Sequence, residues 1–128
     1  MIVLDTHAWI WWTNGSDRLS SAAGRAIEKE REIGVCAISC WELAMLVSGG
    51  RLGLDRDPLL WIRESLSQPR VLLLPLTPEI AVASAGFGPD YPKDPADRLI
   101  IATAQNHRAE VATADRKMRS LRQVNSIW

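Results

Sequence analysis

Four short apolar runs decide what this chain can fold into: Ile2-Val3-Leu4, Val35-Cys36-Ala37-Ile38, Val71-Leu72-Leu73-Leu74 and Val111-Ala112-Thr113. None alternates apolar with polar side chains. A strand with one wet face must alternate, so runs of this kind suit strands covered on both faces, as in a parallel sheet. Val124-Asn125-Ser126 is a weaker fifth candidate. Helical stretches fill the gaps: Thr6 to Trp12, Ser20 to Glu32, Ser39 to Val47, Pro58 to Leu66, Pro78 to Ala85 and Pro95 to His107. Three of these begin with proline, whose missing N–H costs nothing in a first helical turn. Gly49-Gly50 and the stretch from Gly86 to Pro92 read as loops. Strands alternating with helices make an α/β domain with a mainly parallel sheet of about five strands.

The length of 128 residues fits one compact domain, 1–128, with a hydrophobic core, and a 47% hydrophobic content is that of a globular chain. No apolar run nears the roughly 20 residues that span a bilayer. Met1-Ile2-Val3-Leu4-Asp5 has no basic leader and reaches an acid too early for a signal peptide, so a cytoplasmic protein is expected. Fifteen basic and fifteen acidic side chains cancel, so net charge does not announce a nucleic-acid binder. Arg116, Lys117, Arg119 and Arg122 nevertheless crowd together, as a phosphate-holding patch or as a solvated helix face. Cys36 and Cys40 complete no zinc site and form no disulfide framework; they read as free thiols.

In open parallel sheets, ligands bind beyond the carboxyl ends of the strands. Acids occupy those places here. Asp5 directly follows the first run, Glu42 lies one helical turn beyond the second, and Asp115 follows the fourth. Asp97 falls in the first turn of the last long helix, with Asp94 at its cap. Each acid also has a structural role open to it. Ser39-Cys40-Trp41-Glu42 has the spacing of a capping box, and Asp94-Pro95-Ala96-Asp97 that of an Asp cap with proline behind it. Asp5 and Asp115 could cap the helices that follow them. Several carboxylates meeting at one point repel, however, and a hard cation such as Mg²⁺ or Mn²⁺ relieves that cost with oxygen ligands alone. The chemistry to expect of such a site is phosphoester hydrolysis.

Taken in order, Leu4-Asp5-Thr6-His7-Ala8 with Trp11-Trp12, Ser39-Cys40-Trp41-Glu42-Leu43-Ala44, Leu74-Pro75-Leu76-Thr77-Pro78, Asp94 through Ala104, and Thr113-Ala114-Asp115 resemble the PIN-domain family. Within that family they are most similar to the VapC toxins of toxin–antitoxin pairs. The resemblance spans nearly the whole chain and implies a three-layer α/β/α fold. It further implies an acidic pocket for Mg²⁺ or Mn²⁺ formed by Asp5, Glu42, Asp97 and Asp115. Thr6 and Thr113 match polar neighbours that shape the pocket, and Asp94 matches an outer position. The implied activity is endonucleolytic cleavage of RNA, with a cognate antitoxin as partner and a homodimer as assembly. The chain departs from the pattern at Ala96, where this branch often has an aromatic, and at Tyr91-Pro92-Lys93, where it often has a histidine. Neither change removes a carboxylate.

Other marked residues carry expectations of their own. Arg98 follows Asp97 and is expected to pair with an acid or to touch phosphate; Arg116 and Lys117, beside Asp115, are expected on the RNA backbone. Six tryptophans are many for this length. Trp41 and Trp61 read as core, Trp128 as packed back on the sheet edge, and Trp9, Trp11 and Trp12 as a stripe facing an antitoxin helix or second subunit, with base stacking as the lesser reading. Two other phosphate-handling α/β classes fit less well. A haloacid-dehalogenase-type phosphatase wants an acid where His7 stands, and a phospho-receiver wants paired acids at the first strand. The remaining alternative is a non-catalytic binding module whose acids only cap helices.

Overall fold

The computed structural model describes residues 1–128. Five strands form one sheet: β1 (Ile2–Leu4), β2 (Ile33–Cys36), β3 (Val71–Leu74), β4 (Glu110–Ala112) and β5 (Ser126–Ile127). Their spatial order is β3-β2-β1-β4-β5, and all four pairings are parallel. Seven helices connect and cover them: α1 (Thr6–Thr13), α2 (Ser21–Lys29), α3 (Ala37–Ser48), α4 (Pro58–Leu66), α5 (Pro78–Ala85), α6 (Pro95–Asn106) and α7 (Arg116–Ser120). From β1 the chain builds outward through β2 to β3, then returns to lay β4 on the other side of β1. The topological switch point therefore lies between β1 and β4, where such sheets open a crevice at their carboxyl ends.

Two cores explain the unalternated runs. On one face Ile2, Leu4, Ile33, Val35 and Ala112 pack with Trp9, Ile27, Leu43 and Trp61. On the other, Val3, Cys36, Leu74 and Val111 pack with Ile100, Ile101, Ala104 and Met118. Successive strand residues point to opposite faces, and both faces are dry, so β1 and β2 are buried at every position. Trp9 is fully buried and donates its indole N–H to Ser65 Oγ at 2.7 Å, while its ring meets Trp61 edge-on at 5.1 Å. No buried side-chain nitrogen or oxygen lacks a partner.

The structure departs from the sequence expectations in identifiable ways. The second run does not stay extended to Ile38: β2 ends at Cys36 and α3 begins at Ala37. Ser39 is therefore not an N-cap. It is a buried residue inside α3 whose hydroxyl meets Thr6, so the capping-box reading of Ser39 and Glu42 is overturned. The second helix stops at Lys29 rather than Glu32, and the last strand is Ser126–Ile127 rather than 124–126. The third run is an edge strand, with Leu72 and Leu73 exposed, because no strand pairs beyond β3. Trp41 is 57% exposed, not core, since it lies on the α3 face opposite the buried Leu43. Cys36 and Cys40 are free thiols, as expected.

Close packing of β2 makes its glycine essential. A Cβ at Gly34 would lie 2.6 Å from Cδ1 of buried Leu74 and 3.3 Å from Val3. Gly34→Ala is expected to lower stability by about 1–3 kcal/mol, the cost of overpacking. In urea unfolding this appears as a lower midpoint at unchanged slope. In the Leu74→Ala background the penalty of Gly34→Ala is expected to shrink to what the Val3 contact leaves; an undiminished penalty there would refute the steric account.

Candidate metal centre

Asp5 is the residue that β1 delivers to the switch point. Its backbone continues the ladder, donating to Ala112 O at 3.0 Å, and its side chain caps α1. Oδ1 accepts from Thr6 N at 2.7 Å and Oδ2 from Thr113 Oγ1 at 2.7 Å. Thr113, one residue past β4, is fully buried and also accepts from Asp115 N at 3.0 Å. Its hydroxyl thus ties the end of β1 to the turn that carries Asp115. Asp115 caps α7 through Met118 N at 3.0 Å and is itself exposed.

Thr6 plays the same part towards the other side. Its Oγ1 lies 2.5 Å from Glu42 Oε1 and 2.9 Å from Ser39 Oγ. A hydroxyl has one proton; given to the carboxylate, it leaves Thr6 accepting from Ser39. Glu42 is thereby aimed at the strand ends from the second turn of α3. Asp94 caps α6 by accepting from Asp97 N at 3.0 Å, which sets Asp97 in the first turn.

These elements bring Asp5, Glu42, Asp94, Asp97 and Asp115 into one open cleft of about 460 Å³, which His7, Trp11 and Arg18 also line. Oxygens of Glu42, Asp94 and Asp97 lie within 4.8 Å of one another. Asp94, which the sequence placed at an outer position, thus joins the tightest group, while Asp5 and Asp115 line the same cleft outside it. Capping and convergence are not alternatives: Asp5, Asp94 and Asp115 do both.

The charges are held against resistance. Burial pushes the Asp5 carboxyl up, and the bonds from Thr113 and Thr6 only partly offset it. Glu42 is raised by burial and by the charges of Asp5 and Asp94, against the opposing Thr6 bond. Asp97 is raised to about 7, first by burial and then by Asp5, Asp94, Asp115 and Glu42. The donor set fits a small hard cation: it is all oxygen, it is anionic, and no histidine or cysteine enters the group of three.

Arg98 corrects another expectation. It forms no ion pair. Its guanidinium donates to the carbonyls of Ser84 at 3.1 Å, Pro92 at 3.1 Å and Phe87, and lies 5.8 Å over the Phe87 ring, itself stacked on Tyr91. The three guanidinium nitrogens tie the end of α5 to the loop that leads into Asp94. Arg116 and Lys117 are exposed on α7 directly after Asp115. Sequence reasoning did not single out Arg18; it lies outside every motif, and only folding carries it to the cleft.

Comparison with known proteins agrees with this geometry. A family model described as PIN domain matches residues 2–124. The chain is 40% identical over 129 residues to Ribonuclease VapC22 of Mycobacterium tuberculosis, an alignment covering 99% of this chain and 98% of that protein. A toxin–antitoxin complex from Klebsiella pneumoniae superposes with a TM-score of 0.69 at 21% identity, over 97% of this chain and 95% of that one. VapBC2 of Rickettsia felis, bound to a DNA fragment from its promoter, superposes at 0.67 and 16% identity, over 99% and 98%. At these identities the two structures speak for the fold.

The raised carboxyls have a consequence for stability. Asp97 goes from an ordinary value near 3.8 to about 7 on folding. Between those values the folded protein binds more protons than the unfolded chain, so metal-free stability falls as pH rises through that window. We expect the metal-free melting temperature to drop between about pH 4 and about pH 7, and Mg²⁺ or Mn²⁺ to restore it at the higher pH. Asp97→Asn should melt about 2–8 °C higher than the parent at pH 8 without metal, and respond less to the cation. A variant less stable than its parent there would show that Asp97 serves as a structural acid.

Proposed function

The chain belongs to the PIN domain family, and from that premise we propose that it is a divalent-metal-dependent endoribonuclease acting as the toxin of a toxin–antitoxin pair. One observation carries the reading: five carboxylates share one cleft at the switch point of a parallel sheet, and three of them are raised by burial and mutual repulsion. Helix capping accounts for the places of Asp5, Asp94 and Asp115 but not for their meeting Glu42 and Asp97 in one cleft. The ribonuclease name of the 40%-identical relative points to the same chemistry.

Glu42, Asp94 and Asp97 are the proposed inner group for Mg²⁺ or Mn²⁺, with Asp5 and Asp115 completing the cleft. A bound cation of this type supplies Lewis acidity towards a phosphate oxygen and lowers the pKa of water. The protein's own contribution is positioning. Thr113 fixes Asp5, Thr6 fixes Glu42, and the Asp94 cap fixes the backbone of Asp97. Arg116 and Lys117 are the proposed backbone contacts on the approach to the cleft, with Arg98, whose guanidinium also bonds three carbonyls, as a third candidate.

Residues 1–128 are proposed to form one functional domain. No helix is long and apolar enough to cross a membrane, and a cytoplasmic place of action is proposed with the RNA substrate. The antitoxin is proposed to cover the apolar groove beside the acids, lined by Ile38, Trp41, Met45 and Leu46, where Trp41 and Met45 are more than half exposed. The homodimer is proposed to close over exposed apolar side chains along the β3 edge and beyond it: Leu72 and Leu73 on β3, Leu76 in the loop that follows, and Val82 on α5.

The decisive experiment is incubation of total RNA with the purified protein and Mg²⁺ or Mn²⁺, with fragment ends mapped. Discrete cuts are expected, absent with chelator and absent in Asp5→Ala/Asp97→Ala. Folded parent protein that binds Mn²⁺ but cuts no RNA would remove the ribonuclease reading. Replacing Arg116 and Lys117 by Gln should flatten the salt dependence of RNA affinity by about 1.4 in log–log slope, roughly 0.7 for each lost phosphate contact. Light scattering should give a dimer for the parent and a monomer for Val82→Glu; Trp41→Glu should remain dimeric and lose the co-expressed antitoxin.

A further inference from the structure

The tryptophan stripe does not act as one surface. Trp9 is wholly core, and Trp12 packs against that core from its edge. Trp11 also packs against that core and is half-buried, but it alone of the three lines the acidic cleft. Its ring lies 5.6 Å from that of exposed His7, tilted by 51°, and 5.7 Å from that of Trp128, tilted by 53°. The rings of residues 7, 11 and 128 therefore form a chain, of which His7 and Trp11 line the cleft wall while Trp128 lies behind Trp11. Arg18 lines the same cleft, is exposed, and pairs with no carboxylate although five face it across the opening.

Trp11 and Trp128 pack against the core from its edge, as Trp12 does, but core packing does not require Trp11 to line the acidic cleft as well. Nor does charge balance account for Arg18, since an arginine that served the acids would be bonded to one. Flat apolar surface beside a free guanidinium, next to a site for phosphoester chemistry, matches a nucleotide: a π-face to cover the indole and a phosphate to meet the cation. We propose that Trp11, braced by Trp128 and flanked by His7, is the stacking platform for an unpaired nucleobase next to the cleaved phosphodiester, and that Arg18 holds a phosphate of the same strand. The inference rests on the ribonuclease reading and adds to it the residues that would hold a splayed-out base and its phosphate, since a paired base cannot reach an indole face. Bracing matters because a ring fixed on one side loses little freedom when a base covers the other. Because every base has a π-face, the platform itself favours none.

The test measures binding, separately from cleavage. Affinity for a labelled single-stranded hexaadenylate is determined by anisotropy in Ca²⁺ for the parent, Trp11→Leu, Trp11→Phe and Arg18→Gln. Trp11→Leu keeps apolar volume and loses the π-face; it should bind about tenfold more weakly, with Trp11→Phe restored to within about threefold of the parent. A single abasic residue walked along the hexamer should cost the parent about tenfold at one position and cost Trp11→Leu nothing further there. Arg18→Gln should weaken binding and lower its salt dependence. Should Trp11→Leu lose its fold, crosslinking of the intact parent to a 5-bromouridine hexamer still decides: adducts should map to the segment 7–18. Parent-like affinity of Trp11→Leu, a loss independent of the abasic position, or adducts confined elsewhere would overturn the platform while mapped RNA cuts left the nuclease standing. If Trp11→Leu bound RNA normally but lost a co-expressed antitoxin, the wall would be a protein contact and the proposal would fail. A parent that neither binds the hexamers nor cuts RNA would overturn both readings.

Discussion

Asp5 brings a carboxylate to a place where burial works against its charge, and the rest of the site is built around that conflict. The residue is 8% exposed at the end of the central strand. Two hydrogen bonds, from Thr6 N and Thr113 Oγ1, are what the protein sets against the loss of water. They leave the carboxyl raised all the same. Placing four more acids in the same cleft adds repulsion where a stable fold would dilute it. The structure tolerates the crowding because each acid is anchored: Asp5, Asp94 and Asp115 as helix caps, Glu42 through Thr6, and Asp97 by the first turn of α6.

The two dry cores provide the rigidity that this requires. Core side chains fill both faces of the sheet, so the ends of β1, β2 and β4 cannot move apart to relieve the acids. Thr113 shows how closely core and site are joined. It is fully buried, it closes the β1–β4 crevice through Asp5, and its oxygen receives the N–H of Asp115. Arg98 does comparable work on the opposite side, where three carbonyl bonds fix the loop entering Asp94. In both cases a polar residue near the carboxylates serves to hold them still, which is what a preorganised site demands.

The sequence carried the acids plainly because strand ends are legible. An apolar run that stops at Asp5, or at Thr113 with Asp115 two residues later, marks the edge of the sheet directly. Proline at positions 58, 78 and 95 marked three helix starts that the structure reproduces. At Ser39, Arg98 and Trp41 distant contacts override the local pattern. Ser39 and Glu42 have capping-box spacing, yet Thr6, more than thirty residues away, claims both side chains. Arg98 stands beside an acid in sequence, while α6 turns it towards the carbonyls of Ser84, Phe87 and Pro92. Trp41 looks like core because tryptophan usually is, and the face of α3 on which it falls is settled only by what packs on Leu43.

By itself, the amino-acid sequence determined the α/β class, the parallel sheet and the carboxylates at its end. Each of these follows from residue type and spacing along a strand or helix, where neighbours in sequence are neighbours in space. Only the tertiary structure decided which acids sit closest, with Asp94 joining Glu42 and Asp97, and which tryptophan faces the cleft. It also brought in Arg18, which no motif contains. Those outcomes depend on how β4 returns beside β1 and how α1, α3 and α6 converge above the crevice. Such convergence is fixed by the packing of two cores and by single hydroxyl bonds between residues far apart in the chain, and no local pattern records it.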